Sequence, residues 1–189
     1  FRRVLFRSLA ALLHPPTPGK RALMLPDPHP GFLLSAQPCR PASRGRVDIA
    51  SRDPFAPPKI DPHSLEAPRD LDELAAGARL LRRLAAAPSL AAVIAEELVP
   101  GPRVRDDDDR ALRDDIRQRA STVFHPVGTC RMGPDPRTSV VDARLRVHGI
   151  AGLRVVDASI FPAITSGNTH APVLMVAERA ADLVLEDAA

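Results

Sequence analysis

Tryptophan and tyrosine are absent from the 189 residues, and six phenylalanines are the whole aromatic content. A core built from this chain therefore rests on Ala, Leu and Val. Lysine is nearly missing as well: Lys20 and Lys59 are the two exceptions in an otherwise arginine cation set, and the net charge is +3. Charges of both signs alternate along the chain, no basic stripe forms, and nucleic-acid binding is not expected. Cysteine is limited to Cys39 and Cys130, with no CxxC between them. That excludes a disulfide-stapled framework and favours a reducing compartment. No apolar run reaches the roughly 18 to 20 residues of a membrane span. The opening "FRRVLFRSLAALL" is basic and then apolar, but its apolar part is short and no clean cleavage site follows. A cytoplasmic location is the expectation. The chain has no initiating Met, so it is expected to begin inside a longer reading frame, and "FRRVLFRS" is set aside from the fold reasoning.

Proline is abundant, and it punctuates the organisation. Between Pro15 and Pro30 the chain is broken by Pro and Gly, which predicts an irregular segment, with order starting near Gly31. "GFLLSAQPC" and "GRVDIAS" have strand character and are expected to pair across "RPASR". "RDPFAPPKIDP" carries too many prolines for a helix or a central strand and is expected to run extended over a surface or a pocket. In "DLDELAAGARLLRRLAAA", Leu71, Leu74, Ala78, Leu81 and Leu84 recur near a 3.6 period, predicting an amphipathic helix. A second helix is expected over "SLAAVIAEEL" with Ser89 as its cap, and a third over "DDDDRALRDDIRQRA". The aspartate run reads as a solvated cap at a helix N-terminus, where negative charge is favourable, and lacks the interleaved spacing of a calcium loop.

From Ser121 the texture changes to short apolar runs such as "LRVVD", glycine turns, and a long helix expected from Pro172. Its apolar face is Val173, Val176, Ala177, Ala180, Leu183 and Val184. Strand, loop and helix in this order are the grammar of an α/β domain, and the fold class expected for the whole chain is α/β of mixed α+β type.

The densest chemistry lies in "FHPVGTCRMG", residues 124–133. Cys130 has only Arg131 nearby to stabilise a thiolate, so a structural cysteine is the better reading. His125, Cys130, His148 and His170 are separated by five, eighteen and twenty-two residues, which matches no structural zinc pattern, and no metal is expected. His125 as a proton acceptor fits its surroundings better. Pro126 biases it to extended geometry, and Gly128 and Gly133 permit close backbone approach. A second element lies in "DASIFPAITSGNTHAPVLMVAERAADLVL": a polar loop after Asp157 runs into a helix whose free N–H groups and positive dipole end favour an anion.

Together, "FHPVGTCRMG", "VVDARLRVHGIAGLRVVDASIFP" and "TSGNTHAPVLMVAERAADLVL" closely resemble the C-terminal signature of the glucose-methanol-choline oxidoreductases, flavoenzymes that oxidise alcohols. "PASRGRVDIASRDPFAPPKIDP" and the helix after it resemble the substrate-domain segment that precedes it in that family. The resemblance implies FAD as cofactor and an alcohol, choline-like or another primary alcohol, as substrate. It implies that His125 is the active-site base over the flavin and that Asn168 helps bind the alkoxide. Asp157 and Ala158 then match the segment approaching the ribityl and diphosphate chain, while Thr169, His170 and Ala171 match the stretch passing the pyrimidine edge. Many relatives carry Asn where this chain has His170, and the backbone is the expected contact there. The implied chemistry removes the hydroxyl proton while a hydride leaves the adjacent carbon for flavin N5; imidazole suits the first task and a helix N-terminus the second.

None of the ten glycines forms the G-x-G-x-x-G turn that grips a dinucleotide. The resemblance therefore implies residues 31–124 as a portion of the substrate-binding domain and residues 125–189 as the catalytic loop with the C-terminal part of the FAD domain. The missing FAD-binding half of the same polypeptide is the expected partner. Without it, Val155, Leu174 and Leu183 are expected to lie uncovered and the isolated chain to be inactive. A competing reading is a non-catalytic interaction module that keeps this fold.

Overall fold

The computed structural model describes residues 31–188; the segment 1–30, expected to be irregular, lies outside them. The described residues fall into two units, divided between Leu34 and Ser35. Gly31–Leu34 has no regular secondary structure, and the remaining description concerns the second unit.

That unit is a mixture of helix and short strand. In chain order it carries β1 (Arg46–Asp48), β2 (Lys59–Asp61), α1 (Pro68–Ala85), the single turn α2 (Pro88–Ala91), α3 (Asp109–Arg119), a 3₁₀ turn (Ala158–Ile160) and α4 (His170–Ala188). β1 and β2 pair antiparallel, with Val47 opposite Ile60. The expected partner of β1, "GFLLSAQPC", has no strand. The proline-rich connection turns on Asp53, whose carboxylate accepts from the Phe55 amide at 2.9 Å, and returns Lys59–Asp61 alongside β1. Gly45 makes the approach possible, because a Cβ there would meet the Asp61 carbonyl oxygen at 2.4 Å.

α1 forms where its periodicity predicts and packs on α3, with Leu71 and Ala75 of α1 and Leu112 of α3 buried. Its N-cap is Ala67, which has no capping side chain. A partner for its N-cap amide comes from the segment before β1. Ser43 Oγ accepts the Ala67 amide at 3.0 Å, and the Asp70 carboxylate, 2% exposed, accepts the amides of Ala42 and Ser43 at 2.6 and 2.8 Å. A carboxylate in the first helical turn is also favoured by the dipole. In α3, Asp108 is the N-cap and accepts the Ala111 amide at 2.9 Å. Asp106 and Asp109 receive Arg82 and Arg79 of α1, so the acidic run joins the two helices.

The second predicted helix stops after one turn. Pro88 occupies its first position and Ala87, not Ser89, is the N-cap. Beyond Ala91 the β-branched Val93 and Ile94 lower propensity, and Val93 is 71% exposed, so no packing stabilises further turns.

The main core lies after residue 125. Val141, Leu145, Ile160 and Phe161 pack against Val176, Ala180 and Leu183 of α4. α4 begins at His170, two residues before the expected Pro172, which therefore falls at its third position and still within the turn that needs no N–H partner. "LRVVD" forms no strand; a single bridge, Arg154 to Arg146, is its pairing among the described residues. Of the side chains expected to lie uncovered, Leu174 is 54% exposed, whereas Leu183 is 3% exposed and Val155 packs on the core. The last turn of α4 is clamped: Asp187 receives Arg144, Arg146 and Arg154. An acid at a helix C-terminus is unfavourable for the dipole, and the guanidiniums of Arg146, Arg154 and Arg144 hold its carboxyl well below the usual carboxylate range.

Candidate active site

"FHPVGTCRMG" forms an irregular loop zipped along the 3₁₀ turn. Cys130 N–H donates to Ser159 O at 2.9 Å and Met132 N–H to Ile160 O at 2.7 Å. Gly128 has φ +90°, and a Cβ at this position would lie 3.2 Å from Phe161 O. Gly128→Ala is expected to destabilise the fold by about 1 to 2 kcal/mol, the cost of a left-handed L-residue, read as a lower midpoint in chemical denaturation. Cys130 thus serves the loop through its backbone.

At the start of the loop Phe124 has φ +65°, a conformation that is costly for an aromatic residue. The Thr122 hydroxyl accepts its amide at 3.0 Å and helps to hold it there. The strained residue bends the chain just before His125, and Pro126 restricts the histidine from the other side. His125 is half-buried.

Its ring is bracketed by two consecutive residues from the end of the polar loop. Nε2 lies 3.2 Å from Asn168 Nδ2, and Nδ1 lies 3.0 Å from Thr169 Oγ1. Thr169 is 9% exposed, whereas Asn168 faces solvent. Both partners are neutral, and among the described residues no carboxylate is hydrogen-bonded to the ring. A half-exposed imidazole with one edge anchored in protein and the other edge beside an open amide can exchange a proton with a small molecule.

The structure thus brings His125, Asn168 and Thr169 together. His170 and Ala171 follow at the first two positions of α4 with exposed side chains. The Asp157 carboxylate is engaged in capping the 3₁₀ turn, accepting the Ser159 amide at 2.7 Å, and Ala158 packs against the core. Neither is hydrogen-bonded to the trio. Thr169's contact with the imidazole is absent from the sequence reading. The signal was a hydroxyl residue adjoining the expected amide partner, but sequence does not say which side chains converge on one ring.

A cavity of about 740 Å³ lies between the 146–154 turn and the end of α4, lined by His148, Ile150, Leu153 and Asp187 among others. None of the trio lines it, so size alone does not mark the chemistry here. Among the described residues no three His, Cys, Asp or Glu side chains gather closely enough to hold a metal ion. No described helix is long and apolar enough to cross a membrane.

Residues 41–177 match the family model described as GMC oxidoreductase. The chain is 47% identical over 155 residues to an alcohol dehydrogenase [acceptor] of Pseudomonas putida, covering 82% of this chain and 28% of the relative. It is 42% identical over 154 residues to an oxygen-dependent choline dehydrogenase of Chromohalobacter salexigens, covering 82% and 27%. Among solved structures it is similar to a formate oxidase of Aspergillus oryzae RIB40 studied for modification of its FAD. That match has TM-score 0.71 and 31% identity, over 76% of this chain and 25% of the other. The chain spans about 28% of the length of the first of these curated relatives.

Proposed function

This chain belongs to the GMC oxidoreductase family, and we propose that it is the catalytic-loop and substrate-side part of an FAD-dependent enzyme oxidising the CH–OH group of an alcohol to a carbonyl. The observation that carries the reading is the His125 ring, anchored at Nδ1 and presenting Nε2 beside Asn168 at 3.2 Å.

His125 Nε2 takes the hydroxyl proton, so the alcohol O–H bond breaks as the N–H bond forms. The Asn168 amide donates to the oxygen as it gains negative charge, which is electrostatic stabilisation where charge develops. FAD, when bound, supplies the acceptor for the hydride that leaves the carbinol carbon. Residues of this chain fit that cofactor. The amides of His170 and Ala171 stand at the N-terminus of α4, where no helical carbonyl can take them, and the buried Ser159 Oγ beside Ala158 has no partner among the described residues. His170, Ala171 and Thr169 would meet the ring edge, and Asp157 with Ala158 the chain of the cofactor. Within this reading, residues 31–124 belong to the substrate domain and residues 125–189 to the FAD domain. Primary alcohols, choline-like or neutral, are the substrate class.

The partner is the remaining length of the same polypeptide, carrying the dinucleotide-binding turn. The apolar side chains of α4 that face away from the core support this: Met175 is 61% and Leu185 69% exposed. The 189-residue chain alone, supplied with FAD and alcohols, is expected to show no turnover in an assay of electron transfer to a dye; measurable turnover would remove the need for the partner.

The reading is tested on the full-length polypeptide by following its visible absorption while primary alcohols are added without oxygen. Flavin bands that bleach support it. A folded protein that takes up no FAD overturns it.

A further inference from the structure

We infer that Thr169 is a positioning residue that sets the tautomer of His125, and that Pro172 leaves its hydroxyl free to do so. The inference deepens the proposed alcohol oxidation and rests on it for its functional meaning.

Thr169 stands immediately before α4, and its carbonyl accepts the Val173 amide at 3.0 Å, so it occupies the N-cap. A threonine there ordinarily turns its hydroxyl onto the N–H of the second or third helical residue. Of these the third is Pro172, which has no N–H, and the second, Ala171, makes no bond to the Thr169 hydroxyl. The hydroxyl is instead 3.0 Å from His125 Nδ1, in a residue that is 9% exposed. A side chain suited to capping has been given to the imidazole.

The consequence follows from donor and acceptor accounting. A neutral imidazole has one N–H and one lone pair. With the Asn168 amide donating to Nε2 at 3.2 Å, Nε2 holds the lone pair and Nδ1 the proton, which Thr169 Oγ1 accepts. Remove that acceptor and Nδ1–H is left facing a buried site unpaired, a cost the ring avoids by moving its proton to Nε2. Asn168 then turns its Oδ1 toward Nε2–H, and no lone pair faces the alcohol. After proton transfer the same Thr169 oxygen still accepts Nδ1–H, so nothing has to reorganise around the charged ring.

The test uses the full-length polypeptide with ¹⁵N-labelled histidine, the His125 signal being assigned by its loss in H125Q. Three variants are compared with wild type: T169V, T169S and P172A. In T169V the imidazole ¹⁵N shifts should move from the Nδ1–H to the Nε2–H pattern, with kcat falling roughly 10- to 100-fold, the scale on which outer partners of a functional histidine act, and KM moving little. T169S should keep the wild-type tautomer and most of the rate. P172A restores the capping donor without touching either contact residue, and should move the shifts part of the way. Wild-type ¹⁵N shifts in both T169V and P172A overturn the inference, even with alcohol oxidation intact. Shifts that move as described in a protein that oxidises no alcohol sustain the tautomer control and overturn the proposed function instead.

Discussion

Replacement of His125 by alanine in the full-length polypeptide is expected to lower kcat for the proposed alcohol oxidation by about 10²- to 10⁴-fold, the range contributed by a positioned acid–base group, and to leave the flavin spectrum in place. The ring is half-buried and its partners are a hydroxyl and an amide, so its removal strands no charge. Thr169 keeps its backbone bond to Val173 and α4 keeps its core face, which separates loss of chemistry from loss of fold. Anaerobic stopped-flow reduction of the flavin is the measurement. A variant reduced at the wild-type rate would take the imidazole out of the reaction and leave Asn168 with the backbone amides as the whole site.

The largest structural effect is expected at Asp70, in the first turn of α1. Asp70→Ala leaves the amides of Ala42 and Ser43 without an acceptor in a site where the carboxylate is 2% exposed. Two hydrogen bonds to a charged acceptor, each worth about 1.5 to 3 kcal/mol, put the cost at about 3 to 6 kcal/mol. Asp70→Asn keeps the shape and one acceptor but presents its NH₂ to the other amide, so about 2 kcal/mol or more of the loss persists. Urea unfolding followed by circular dichroism measures both, and an alanine variant as stable as wild type would mean that the loop satisfies its amides in another way.

The same group predicts a pH dependence. Burial raises the Asp70 pKa, but hydrogen bonds from Ser43 and the amides of Ala42 and Ser43, with Arg69 nearby, outweigh it and hold the carboxyl below its ordinary value. The unfolded chain therefore binds this proton more readily than the folded one. The stability contributed is fully present above the unfolded value of about 3.9 and is lost as pH falls towards the folded value. Below about pH 4 wild type should weaken more steeply than Asp70→Asn.

Much of this was legible in the chain, and what was legible is local. Leu71, Leu74, Ala78, Leu81 and Leu84 predict α1, the aspartates before Ala111 predict the start of α3, and Val173, Val176, Ala177, Ala180, Leu183 and Val184 predict α4, although Leu84, Ala177 and Val184 lie exposed beside the buried stripe. In each the period of one segment identifies its own inward face. Strand expectations fared worse, because a strand exists only with a neighbour. "GFLLSAQPC" has the composition without the partner, "LRVVD" has one bridge, and Lys59–Asp61 became a strand because a turn carried it back beside β1.

By itself the sequence determined the helical faces, the family signature, and the presence of His125, Asn168 and a helix N-terminus in one short region. Those depend on residue order and side-chain type alone. Only the tertiary structure decided that residues 44 apart, His125 and Thr169, share a hydrogen bond, and that a carboxylate on α1 accepts the amide of Ala42, 28 residues earlier. Both are long-range pairings of polar atoms that leave no periodic trace. They arise because buried polar groups must find partners, and the fold brings those partners from distant parts of the chain.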